Sequence, residues 1–176
     1  LEEIKQARAL TGDTAIVTAC SLLTQSLAGQ ILQLNDSIQR FDAKIEELFN
    51  HHPDHFIFSS LPGSGKALGP RLLTTFGEDR DRFECAGEVQ TVSGIAPLLR
   101  TSGKSRIVSY RWACPKFVRQ GVHEFAALSR HWCPWAQAYY QMQISQGKDH
   151  HVAVRSLAFK WLRIIYRCWK NRVPYD

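Results

Sequence analysis

Ser60-Leu61-Pro62-Gly63-Ser64-Gly65-Lys66 is the stretch on which the fold of this chain turns. Placed after the apolar Phe56-Ile57-Phe58, its Gly-Ser-Gly-Lys invites a phosphate loop following a strand, and with it an α/β fold. Such a loop needs a glycine five residues before its second glycine and Ser or Thr after its lysine. This chain has Ser60 and Ala67 at those places. Leu-Pro-Gly-x-Gly between two helical segments reads instead as the hairpin of a helix-hairpin-helix-like segment, about residues 56–83. Gly63 and Gly65 permit a tight turn whose N–H groups, with Lys66 beside them, can hold a phosphate without reading base sequence. The expected fold is therefore mainly α.

Upstream, Leu27, Ile31, Leu34, Ile38, Phe41, Ile45 and Leu48 recur at alternating steps of four and three. That narrow apolar seam predicts a long coiled-coil helix over residues 23–48, with Cys20 and Leu23 continuing it less regularly. A seam of this width wants a partner helix. A second copy of the chain would supply one, and so would residues 1–17 folded back across the break at Thr11-Gly12-Asp13. The same pattern also fits an amphipathic helix packed on its own domain. Pro53 ends the helix by disfavouring helical geometry in His52.

Downstream, Glu78, Asp79, Asp81 and Glu84 read as capping and solvating the helix that follows at Cys85–Val92. Ser102 then falls in an irregular segment, and Ile107–Trp112 has strand character, forming a small hairpin across Ser102-Gly103. From Lys116 the chain reads as a terminal helical bundle: 116–129, 135–146 and 151–169. In the last helix Val154, Leu157, Ala158, Trp161, Leu162, Ile165 and Trp169 make a broad core-facing stripe ringed by Arg155, Lys160, Arg163, Arg167 and Lys170. The predicted domains are a helical coiled-coil arm at 1–52 and a C-terminal domain at 53–176.

Charge changes sign at Ser102. Residues 1–102 carry 9 Lys/Arg against 13 Asp/Glu, whereas residues 103–172 carry 13 against 2. A segment this cationic suits a polyanion, nucleic acid first. The five cysteines are odd in number and widely spaced, which fits reduced thiols better than a disulfide framework. Cys114, His123, His131 and Cys133 match no common zinc spacing, so no metal ligand is assigned. No stretch is expected to reach the uninterrupted apolar length of a membrane span, and the start lacks the zones of a signal peptide. Without an initiator Met, the chain reads as part of a longer cytoplasmic protein.

The order of these elements resembles the C-terminal part of transposases of the insertion-sequence-110 family, relatives of the Piv-type DNA invertases. The resemblance rests on the heptad helix, Ser60–Gly65, Gly94-Ile95-Ala96-Pro97 with Ser102-Gly103 following, and the closing Val173-Pro174-Tyr175-Asp176. It implies that Ser102 is a nucleophile forming a transient covalent link to DNA. It implies magnesium held by a resolvase-like N-terminal domain that this chain lacks, with no cofactor on the chain itself. It also implies a non-coding guide RNA as partner, and a bacterial setting. The chain departs from the family at Trp112-Ala113-Cys114-Pro115-Lys116, where typical members run through a Gly- and Lys/Arg-rich stretch.

A serine hydroxyl beside cations is chemically apt, because attack on phosphorus builds negative charge on the oxygens. Lys104, Arg106, Arg111, Lys116 and Arg119 lie close enough in sequence to be nucleic-acid contacts, together with Gly63, Gly65 and Lys66. Two other functions fit the same residues. One is a non-catalytic nucleic-acid-binding module in which Ser102 is only a turn residue. The other is an assembly element built on the 23–48 helix.

Overall fold

The computed structural model describes residues 11–176, apart from the side chain of Arg106. The suggested fold-back of residues 1–17 falls largely on residues 1–10, outside the described ones. The chain is mainly helical, and it divides into two compact units between Lys44 and Ile45.

Helix α1 runs from Thr14 to Asn50, starting earlier than the seam alone predicts. Asp13 opens it: its Oδ1 accepts the N–H of Ala15 at 2.9 Å and of Ile16 at 3.4 Å. The break at Thr11-Gly12-Asp13 is thus the helix start, and residues 14–17 belong to the helix. Every seam residue from Leu27 to Leu48 is exposed, Phe41 the most at 70%. The expectation that no stretch suits a membrane span does not hold by length and composition. On those grounds α1 could cross a membrane, since Thr14 to Asn35 carries no charge. The same stretch bears Gln25, Gln30 and Gln33, whose amides are costly in hydrocarbon.

The second unit is built around the last helix. Its elements are α2 (His55–Ser59), α3 (Gly65–Phe76), α4 (Ala86–Val92), strands β1 (Leu98–Ser102) and β2 (Ser105–Ser109), α5 (Lys116–Ser129), α6 (Pro134–Ser145) and α7 (His150–Asn171). Helix α7 packs against α4, α5 and α6, and its whole predicted apolar stripe is buried. Each large apolar side chain so placed contributes about 1.5–3 kcal/mol. Trp161 meets Phe125 and Trp135, while Trp169 meets Phe76 and Phe83. Neither indole N–H is stranded: Trp161 donates to Ser129 Oγ and Trp169 to the Gly77 carbonyl, each at 2.8 Å.

The closing residues also bind the core. Tyr175 stacks edge-on against Trp161, and its hydroxyl accepts the Trp135 indole N–H at 2.8 Å. Its backbone N–H donates to Ser60 Oγ at 2.8 Å. Ser60 and the terminal Val-Pro-Tyr-Asp, far apart in sequence, are therefore parts of one contact.

The acidic run at 78–84 does not cap α4, whose N-cap is Cys85 with no side-chain cap bond. Its residues are spent elsewhere. Glu78 pairs with His52 at 2.9 Å, and Asp79 Oδ1 accepts the Asp81 N–H at 2.9 Å. Glu84 donates its N–H to Glu88, and Arg80 within the run pairs with the buried Asp54. The sequence pattern placed the charges correctly but could not show which distant groups would meet them.

Candidate nucleic-acid interface

β1 and β2 pair antiparallel, from Leu98 opposite Ser109 to Ser102 opposite Ser105. Two residues, Gly103 and Lys104, make the turn. Gly103 has φ +55° and Lys104 does not share the positive φ, the signature of a type II′ hairpin with glycine first. The strand predicted at 107–112 thus lies at 105–109, and Tyr110 to Trp112 lead out of it. Ser102 ends β1 at the hairpin tip, exposed, beside the exposed Lys104. Among the described residues its hydroxyl makes no hydrogen bond. Arg100, two residues back on the same face of the strand, was not singled out from sequence, although the period of two would have placed it there. Arg106 pairs with Thr101 through the backbone.

Of the other predicted cations, Arg111, Lys116 and Arg119 gather at the hairpin base, four strand steps or roughly 13 Å from the tip. There a cleft of about 640 Å³ is lined by Tyr110, Trp112, Lys116, Arg119, His123 and Arg155, among others. The Arg155 guanidinium lies 3.5 Å over the Tyr110 ring, and the Tyr110 and Trp112 rings are 6.5 Å apart. Arg111 sends its carbonyl to Arg119 Nη1 at 3.4 Å, so it braces the cleft rather than lining it. Gly94 lets the Ser93–Pro97 loop approach: at φ +71°, a Cβ there would sit 2.3 Å from Cys114 Sγ.

The cleft's charge is unbalanced. Among the described residues Lys116, Arg119 and Arg155 have no carboxylate partner. The acid on the cleft wall, Glu124, is held by Arg71 at 3.1 Å and Gln120 at 2.7 Å. Burial holds His123 below its ordinary 6.5, helped by electrostatic interaction with His151, Arg155 and His150 and opposed by a hydrogen bond involving the His151 backbone.

Gly63, Gly65 and Lys66 occupy a third place: Gly63 lies in the turn between α2 and α3, and Gly65 and Lys66 open α3. Gly63 packs against the Trp132 ring, and Lys66 Nζ is 2.7 Å from Glu46. The predicted set is therefore split among hairpin tip, hairpin base and interhelical turn. Tyr110, Trp112 and Arg155 complete the base; Arg155 was visible from sequence only as one cation ringing α7. The residues weighed for zinc do not assemble, because no group of three His, Cys, Asp or Glu side chains is found among the described residues. Cys133 instead lies 3.9 Å from the Tyr175 hydroxyl.

Residues 56–141 match the family described as Transposase IS116/IS110/IS902 family. Among curated proteins, the chain is 34% identical over 134 residues to the "Mini-circle putative transposase for IS117" of Streptomyces coelicolor. That match covers 75% of this chain and 32% of the relative. It is 30% identical over 150 residues to an insertion element IS900 protein of 42 kDa from Mycobacterium paratuberculosis, covering 85% of this chain and 38% of that one. It is 26% identical over 175 residues to an insertion element IS110 protein of Streptomyces coelicolor, covering 96% and 42%. The chain spans about a third to two-fifths of the length of these relatives. It carries a transposase region of the IS116/IS110/IS902 family.

Proposed function

We propose that this chain is the serine-bearing part of a bacterial cytoplasmic DNA transposase, a C-terminal region related to Piv-type invertases, and that Ser102 is its nucleophile. The observation that carries the reading is the exposed Ser102 hydroxyl at a hairpin tip beside Lys104, within a chain that has the transposase region. In the proposed step Ser102 Oγ attacks a DNA phosphorus. An Oγ–P bond forms as the bond from phosphorus to a deoxyribose oxygen breaks, and that oxygen takes up a proton. The phosphoserine ester conserves the bond, so a hydroxyl from a second strand can displace the serine without outside energy.

Lys104 and Arg106, with Arg100, are the cations assigned to the charge that develops on the phosphate oxygens. The base for the serine proton and the magnesium ligands are assigned to the acidic set of a resolvase-like N-terminal domain outside this chain. The described residues offer no group of three candidate ligands. The helix-hairpin-helix-like turn at Gly63–Lys66 and the cations Arg111, Lys116 and Arg119 are assigned to phosphates of DNA or of a guide RNA. The exposed seam of α1 supports homo-oligomerisation through residues 23–48.

The test is recombination by the full-length protein. Ser102→Ala should abolish strand exchange while DNA binding persists. Unchanged exchange would overturn the assignment and leave a binding module.

A further inference from the structure

We infer that the cleft at the hairpin base holds one unstacked nucleotide of a single-stranded DNA or RNA segment, its base laid on Trp112 and its phosphate met by Lys116 and Arg119. This rests on the nucleic-acid reading above and adds to it the state of the strand.

Trp112 is 79% exposed, whereas Trp161 and Trp169 are buried and bonded, and Trp135 donates to Tyr175. Trp132, also exposed, is occupied against Gly63. The Trp112 indole has no comparable task in the fold. Beside it the Arg155 guanidinium lies over the Tyr110 ring and fixes that part of the aromatic wall before any ligand arrives. A cleft of about 640 Å³ falls within the roughly 300–1,000 Å³ of ordinary small-ligand sites and admits a nucleotide.

Charge and shape together select the occupant. Three cations without carboxylate partners among the described residues call for an anion. An acidic peptide would satisfy them but leave the indole unused. A nucleotide uses both. Paired bases in a duplex bury their faces on each other, so an open base face must come from an unpaired stretch.

The experiment measures binding of labelled 12-mers to this chain: single-stranded DNA, RNA of the same sequence, and the blunt DNA duplex. Trp112→Ala should weaken one or both single strands by roughly 5- to 150-fold, the span expected of one lost base–aromatic stack. Duplex affinity should change less than about twofold, and Trp112→Phe should keep most of the single-strand affinity. Lys116→Gln with Arg119→Gln should weaken both forms and flatten the salt dependence. Because Trp112 is exposed, unchanged thermal unfolding of Trp112→Ala checks that the fold is intact. Equal loss on single strand and duplex, or no loss at all, would overturn the inference while leaving nucleic-acid binding in place. Binding to neither form at low salt would overturn both.

Discussion

The guanidinium of Arg155, on α7, lies 3.5 Å over the ring of Tyr110, at the foot of the hairpin that carries Ser102. The strands themselves are mostly exposed, so this contact is one of the few that tie the hairpin to the helical core. A cation over a tyrosine face contributes about 0.5–2 kcal/mol. Arg155→Ala should therefore leave global stability nearly unchanged but speed amide exchange in residues 98–109. Hydrogen exchange read residue by residue checks this; unaltered exchange would mean the hairpin is held by other contacts.

Ser129 is fully buried and accepts the indole N–H of Trp161, which is itself fully buried. Ser129→Ala strands that donor away from water, at a cost of about 1–3 kcal/mol. Urea unfolding should show a lower midpoint with the slope preserved.

His123 sets a pH dependence. Its folded value lies below 6.5, so as pH falls through 6.5 the unfolded chain takes up a proton that the folded chain resists. Stability is full above the ordinary value and is lost below it, until the folded value is passed. Urea midpoints at about pH 7.5 and about pH 5.5 should differ in that direction, and His123→Gln should reduce the difference.

The seam gives a prediction about assembly. Ile31 and Ile38 sit one heptad apart on α1, both exposed. If copies of the chain pair through them, Ile31→Glu with Ile38→Glu places carboxylates in an apolar interface and should convert an oligomer to a monomer in sedimentation. A wild-type chain already monomeric at high concentration would remove the assembly role.

Gly94→Ala should destabilise by about 1–3 kcal/mol, because it combines a strained φ with a Cβ driven into Cys114. Thermal unfolding measures it. The loss should be smaller with Cys114→Ala, which removes the nearer of the two clashing atoms.

How much of this was legible in advance depends on the range of the forces involved. Local periodicity placed α5 at its observed bounds, located α6 and α7 to within a residue or two, and picked out every buried residue of the α7 stripe it named. Turn chemistry put a hairpin near Ser102, though one strand began and ended earlier than its β-branched run implied. The sequence also carried the reversal of charge and the seam. It did not carry the partition of the predicted contacts into tip, base and turn. Nor did it join Tyr110 to Arg155, or Tyr175 to Ser60.

Periodicity and turn residues act over a few positions, so helices, their buried faces and the serine's place at a turn followed from the amino-acid order alone. Which cations share a cleft depends on how α5 and α7 pack and on a glycine allowing one loop to lie against another. Those are long-range steric facts, and only the tertiary structure decided them.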